Sequence, residues 1–396
     1  MFELVDSIPQ SAVIKVVGVG GGGGNAVQHM VNNSLEGVEF ICANTDAQAL
    51  SNMSGHSVLQ IGSELTKGLG AGANPEIGRK AALEDRDRIA EALHGTDMVF
   101  ITAGMGGGTG TGSAPIVAEV AREMGILTVA VVTTPFPFEG RKRMVIASEG
   151  IKELRESVDS LIIIPNSKLM QVLGRNCSLL NAFNAANDVL KGAVQGISDL
   201  ITRGGMINVD FADVRTVMAE MGMAMMGTGV GKGESRALEA AEAAIKSPLL
   251  DNVDLKGASG ILVNVTGGVD LSLGEFTEVG DLVGEYADEN ATIVVGTVID
   301  PELTDELKVT VVATGLDKPK EPPLEVKKGH KKADGSLNLS EIDLPTVLRR
   351  QRQESLTGGV PAESAEPAKR DDVKQTGTGG DMLHLDIPTF LRKQND

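Results

Sequence analysis

An α/β fold is predicted: a Rossmann-like parallel-sheet domain joined by a long central helix to a smaller α/β domain. Three observations predict it. Short apolar runs alternate with longer helical stretches from Ser11 onward. Two glycine clusters each follow an apolar run and open a helix. An unbroken helical pattern over 179–203 then divides the chain. Alternation of strand and helix implies a parallel sheet with helices on both faces.

In chain order, residues 12–19, 38–43, 57–61, 98–102, 127–133 and 161–164 read as buried strands. Residues 75–93, 113–124 and 141–156 read as helices between them. The helix at 179–203 is about 37 Å long at 1.5 Å per residue, and Gly204-Gly205 stops it as a helix C-cap does. Helices at 211–221, 238–245 and 273–289 and strands at 260–266, 292–299 and 307–314 build the second domain. Beyond Gly315 the chain turns to Lys, Pro, Glu, Gly and Ser, the composition of a disordered linker, and it closes on an apolar motif at 383–391. The expected division is 1–178, the central helix 179–203, 204–316, a linker 317–380 and a terminal peptide 381–396.

Composition narrows the function. The chain has 396 residues, 41% of them hydrophobic, enough to bury a sizeable core. The formal charge of -18 disfavours nucleic acid as a partner. All of that charge falls on residues 1–316, because 317–396 hold 14 basic and 14 acidic residues. Cys42 and Cys177 are too few for a disulfide framework and fit a reducing compartment. No signal peptide is read in residues 1–12, and no apolar run reaches membrane-spanning length. The five histidines are scattered, so no metal-binding motif is expected.

The chemistry sits in the glycine clusters. The first is Gly18-Val19-Gly20-Gly21-Gly22-Gly23-Gly24-Asn25. Glycines let backbone N–H groups approach a phosphate, and the following helix N-terminus adds partial positive charge. Gly18, Gly20 and Gly23 also satisfy the dinucleotide pattern G-x-G-x-x-G, so alone this loop admits a bare turn or a dehydrogenase. The second, Ala103-Gly104-Met105-Gly106-Gly107-Gly108-Thr109-Gly110-Thr111-Gly112, runs from a strand into a helix opening at Ser113, with Pro115 in its first turn. Two such loops at the ends of parallel strands face one sheet edge and could clamp a di- or triphosphate. No P-loop is present; Gly227 to Lys232 comes near, but Gly233 stands where Ser or Thr is required. A dehydrogenase is disfavoured because the second strand ends in Ala43-Asn44-Thr45, without a ribose-binding acid.

Gly106-Gly107-Gly108-Thr109-Gly110-Thr111-Gly112 resembles the signature loop of the tubulin/FtsZ superfamily, and the likeness extends over residues 10–316 and the last dozen. The resemblance implies a GTPase that binds GTP or GDP with Mg²⁺. By that resemblance Gly20, Gly21, Gly22 and Asn25 contact the α- and β-phosphates. Gly104, Gly107, Gly108, Thr109 and Gly110 wrap the β- and γ-phosphates. Gly72 and Ala73, in the loop 70–74, sense the γ-phosphate. Thr133, Pro135, Glu139 and Arg143 lie on the ribose side, with Asn44 near the sugar and phosphates. Asn166, Phe183 and Asn187 become guanine contacts. Phe183 and Asn187, four residues apart, share a helical face, although from the residues alone Phe183 reads first as core beside Leu179, Leu180 and Ala186.

Hydrolysis needs a positioned water and a polarising acid, and neither glycine loop holds a carboxylate. The candidates are Asn208, Asp210 and Asp213, past the central helix. Asp210 with Asp213 also reads as a helix N-cap and its third residue. The resemblance implies that this loop reaches the next subunit's nucleotide. The central helix puts it some 30 Å or more from its own subunit's nucleotide, and a head-to-tail contact that repeats without closing makes a filament. A non-enzymatic nucleotide-sensing scaffold is the remaining rival class.

The terminal peptide, with Asp386, Ile387, Pro388, Phe390, Leu391 and Arg392, resembles the superfamily's bacterial division members. There it implies docking on membrane-tethering and regulatory division proteins such as FtsA, in the cytoplasm at midcell beneath the inner membrane and without insertion into it. An upstream decamer, 342–351, aligns with 385–394 without gaps, six of ten positions being identical. Val347 replaces Phe390 in that copy.

Overall fold

The computed structural model describes residues 12–316, apart from 54–55, 175, 204, 208, 220–221, 251–256 and 289. Asn208, the linker 317–380 and the terminal peptide with its six named residues therefore lie outside the described residues.

The first six apolar runs form β1 (Ile14–Val19), β2 (Glu39–Asn44), β3 (Ser57–Gln60), β4 (Met98–Gly104), β5 (Leu127–Thr134) and β6 (Ser160–Pro165). They pair in parallel in the order β3-β2-β1-β4-β5-β6. Between them run α1 (Gly20–Asn32), α2 (Ala47–Ser51), α3 (Ser63–Thr66), α4 (Pro75–Glu84), α5 (Arg86–Ala92), α6 (Thr109–Glu123) and α7 (Arg141–Ser157). The central strands are apolar on both faces because each face is covered: one by α4 to α7, the other by α1 and the central helix. After β6 come α8 (Asn166–Leu173), the central helix α9 (Leu179–Thr202) and α10 (Phe211–Met218). The second half comprises β7 (Gly222–Lys232), α11 (Arg236–Ile245), β8 (Gly260–Gly267), α12 (Leu273–Tyr286), β9 (Thr292–Ile299) and β10 (Glu306–Thr314). Here β10 is antiparallel to β7 and β8, and β9 is parallel to β8 at the sheet edge.

Four details depart from the sequence-based expectation. Strand β7 was not predicted, yet it pairs with β6 and continues one sheet of ten strands through both halves. Its Gly227, Gly229 and Gly231 alternate toward α11. A Cβ there would lie 2.0–2.1 Å from the carbonyl oxygens of Ala244, Ala240 and Arg236. Two strand residues advance about 6.6 Å and four helix residues about 6 Å, so the bare strand and the helix backbone stay in step. The near-P-loop at Gly227–Lys232 is thus strand. The helix read over 75–93 is two, broken at Asp85, whose carboxylate accepts from the Gly62 N–H (2.7 Å) and from Arg88 (2.8 Å). The helix read from Ser113 begins at Thr109, which places Pro115 in its interior rather than its first turn. Helices α2, α3 and α8 were not anticipated.

In the second half, Arg236 is 5% exposed and ties α11 to α12. Its Nε donates to Glu275 (2.6 Å) and Nη1 to Asp270 (2.8 Å), while Glu275 closes a capping box with Ser272. The guanidinium bonds hold the Glu275 carboxyl down at about 2. A depressed carboxylate stabilises the fold above its ordinary pKa, and the contribution is lost as pH falls through the folded value. Glu275→Gln is therefore expected to cost roughly 3 kcal/mol at pH 7. The gap to the parent should narrow as pH falls from about 4.5 toward 2; urea unfolding of both proteins at pH 7 and pH 3.5 measures it.

Candidate nucleotide and catalytic sites

Strands β1 and β4 lie side by side, with Val19 opposite Ala103, so the two glycine clusters leave the sheet at adjacent points. Both clusters run directly into helices. Helix α1 starts at Gly20 and α6 at Thr109, and neither has a side-chain cap or an acidic residue in its first turn. Asp46, Asn74, Ser178, Asp210 and Ser272 cap α2, α4, α9, α10 and α12, whereas α3, α5, α7, α8 and α11 also lack a side-chain cap, so it is their side-by-side place at one cleft that sets α1 and α6 apart. The N-terminal N–H groups of α1 and α6 are thus left to a ligand or to water, and both carry the positive end of a helix dipole.

These two helix starts floor an open cleft of about 380 Å³. Gly21, Gly22 and Asn25 line it from α1, and Gly104, Gly107, Gly108, Thr109 and Gly110 from the second loop. Gly72, Thr133, Pro135, Glu139, Arg143, Asn166, Phe183 and Asn187 complete the predicted part of the wall. Met105, Thr134, Ala186 and Leu190 line it too and carried no signal in the sequence. The glycines divide by environment. A Cβ on Gly20 would stand 2.7 Å from the Gly110 nitrogen, so that glycine lets the two loops touch. A Cβ on Gly21 or Gly107 would meet nothing within 4 Å, so those positions open onto the cleft.

Three candidates are not in the lining. Gly20 faces Gly110 instead. Asn44 is 4% exposed and its Oδ1 accepts from the Asp46 N–H (3.3 Å). Ala73 stands exposed beside Gly72. The neighbouring Thr45, which the sequence did not single out, shares a 2.6 Å hydrogen bond with the Thr109 hydroxyl and ties β2 to the second loop.

At the far end of the cleft, Asn166 begins α8 directly after β6. It is 4% exposed, and its Oδ1 accepts no hydrogen bond among the described residues. A buried acceptor without a donor costs on the order of 1–3 kcal/mol, which a ligand N–H would recover. Phe183 is not core: it is 41% exposed, edge-on to Phe136 (5.2 Å between centroids), and presents a face to the cleft. On the near side Glu139 accepts from the Phe136 N–H (2.9 Å) and from Arg143 (2.6 Å). An elongated ligand with an anionic end at the glycine loops and a planar, hydrogen-bonding end at Asn166 fits this arrangement.

The acids lie elsewhere. Asp210 and Asp213 are exposed at the start of α10, where Asp210 Oδ1 caps the helix by accepting from the Asp213 N–H (2.8 Å). From Phe183 to Thr202, α9 runs about 28 Å at 1.5 Å per residue. Among the described residues no cluster of three His, Cys, Asp or Glu is placed to hold a metal.

Residues 13–174 match the model of the Tubulin/FtsZ family, GTPase domain, and residues 222–317 that of the FtsZ family, C-terminal domain. Fold and cleft thus define a GTPase of the tubulin type. The chain is 62% identical to the cell division protein FtsZ of Pseudomonas aeruginosa and 61% identical to that of Coxiella burnetii. The alignments cover 100% and 99% of both chains, respectively. It belongs to the FtsZ family. An empty FtsZ dimer from M. jannaschii superposes with a TM-score of 0.75 at 48% identity, covering 78% of this chain and 90% of that one. A GTPγS-bound CetZ2 protofilament from Haloferax volcanii, 19% identical with a TM-score of 0.66, shares the fold.

Proposed function

We propose that this chain is a GTP-dependent cell-division protein whose subunits assemble head to tail and hydrolyse GTP where one subunit meets the next. The observation that carries this is the pairing of two uncapped helix N-termini with a distant, buried Asn166 Oδ1 that has no donor among the described residues, in one cleft. The N–H groups of α1 and α6 hold the phosphates. Asn166 and Asn187 pair with the polar edge of guanine, Phe183 stacks on its face, and the Glu139–Arg143 pair borders the ribose. Within the cleft lining the sole carboxylate is Glu139, already engaged by Arg143. Mg²⁺ would therefore ride on phosphate oxygens and water, its usual habit, where it would neutralise charge on the triphosphate.

The cleft lacks a free carboxylate, and α9 carries Asp210 and Asp213 too far to serve it. The acids orient water at the nucleotide of the neighbouring subunit, and loss of the γ-phosphate weakens the contact. Residues 1–178 act as the nucleotide domain, 179–203 as the spacer and 204–316 as the domain that presents the acids. Sedimentation with GTP against GDP tests the reading, together with a GTPase rate measured against protein concentration. A rate that rises faster than linearly supports it. A strictly proportional rate removes the shared site, and binding without turnover leaves a non-enzymatic nucleotide-sensing scaffold.

The terminal peptide 381–396 serves as the docking segment for membrane-tethering partners such as FtsA, which places the filament at midcell. The upstream decamer 342–351 is a weaker copy of it. The two copies start 43 residues apart in the chain, and a two-site partner would engage both. Deleting 385–396 is expected to leave residual binding, and adding Leu348→Ala and Arg349→Ala to abolish it. Titration of the two isolated peptides against purified FtsA decides the matter: absence of binding by 341–352, where the final peptide saturates, rejects the second copy.

A further inference from the structure

Strand β9 is a sheet edge, bonded to β8 on one side only, and the loop that carries the acids lies along its other side. Thr297, 3% exposed, grips that loop at two points. Its backbone N–H donates to the Ile207 carbonyl (3.2 Å), and its hydroxyl oxygen accepts from the Ile207 N–H (2.9 Å). The close approach is built in on both sides. A Cβ on Gly205 would lie 1.7 Å from the Thr297 carbonyl oxygen, and one on Gly296 would lie 2.6 Å from both Leu200 and Val209. Val209 itself is 6% exposed, pinned beneath the loop, whereas Ile207 is 40% exposed. The loop is thus held at Ile207, at Val209 and at the Asp210 cap, and the Thr297 hydroxyl is a hold supplied by a side chain from outside the loop and its helix.

We propose that Thr297 is a positioning residue for GTP hydrolysis, fixing the acid-bearing loop on the edge of β9 at the geometry the neighbouring subunit's nucleotide requires. The inference rests on the assignment of Asp210 and Asp213 to that nucleotide. Valine at 297 keeps the size and the backbone bond but removes the acceptor, so the Ile207 N–H loses its partner and the loop can shift. Displacements of about 1 Å at a reacting centre cost on the order of a hundredfold in rate.

In the full-length protein, Thr297→Val is expected to lower GTP turnover per sedimented subunit, at saturating GTP, by roughly 10- to 100-fold. GTP affinity of the dilute subunit should stay within about twofold, since the clamp lies at the far end of α9. Thr297→Ser restores the acceptor and should recover most of the turnover. Two results overturn the proposal: turnover per sedimented subunit unchanged in Thr297→Val, or serine no better than valine. Asp213→Ala run in parallel separates the causes. If it loses turnover while Thr297→Val does not, the clamp alone is wrong; if both keep it, the assignment of the acids is wrong.

Discussion

Asp213→Ala is expected to bind GTP as the parent does and to lose turnover by roughly a hundredfold or more, the scale of a lost water-orienting acid. The substitution is clean because the Asp210 cap uses the backbone N–H of residue 213, not its carboxylate. Alanine also costs an exposed helical position little. Asp210→Ala, by contrast, removes the cap itself, at about 1 kcal/mol, and would mix a folding effect with a chemical one. The separation along α9 makes a second outcome specific. An Asp213→Ala subunit spoils the nucleotide of the neighbour it contacts, so an equal mixture with parent protein should turn over at half the parent rate or less while sedimenting fully. Filter binding of GTP at dilute protein and a mixing titration of GTPase rate measure the two. Loss of binding by the isolated variant would place the acid at its own subunit's site and contradict the shared-site reading.

Thr109→Arg should act at the other end. Thr109 is the first residue of α6, where uncapped N–H groups face the cleft, and its hydroxyl holds Thr45 at 2.6 Å. Arginine breaks that tie and puts a long side chain where phosphates must approach the backbone. Its charge attracts phosphate, but through water that attraction is worth about 1 kcal/mol. Two displaced charge-assisted hydrogen bonds cost roughly 1.5–3 kcal/mol each. The balance is unfavourable by at least about 2–3 kcal/mol, so GTP affinity should fall on the order of a hundredfold. Assembly and turnover fall with it, because both depend on bound nucleotide. Unchanged affinity by filter binding would remove this loop from the phosphate site.

Much of this molecule was legible in its residues because the signals are local. Strands such as Phe100 and Ile101 in β4 are apolar on both faces, which marks a sheet covered by helices on both sides. The two glycine clusters stand between strand and helix, and that context distinguishes phosphate loops from linkers. The cap at Asp210 and the length of α9 follow from spacing alone.

What stayed hidden depends on partners distant in the chain. Strand β7 was left unassigned because its glycines make sense only against the bare backbone of α11. The helix break falls at Asp85, whose carboxylate accepts from Gly62, 23 residues away. Phe183 could be core or ligand contact until its position beside buried Phe136 showed one face open. Thr297 carried no signal, since a threonine in a β-strand is ordinary; its importance comes from Ile207, 90 residues earlier, lying along the same sheet edge. Periodicity and turn chemistry report what a residue asks of its neighbours in the chain. Which buried acceptor goes unpaired, and which hydroxyl holds a loop, is settled only where elements far apart in the chain come to share one surface.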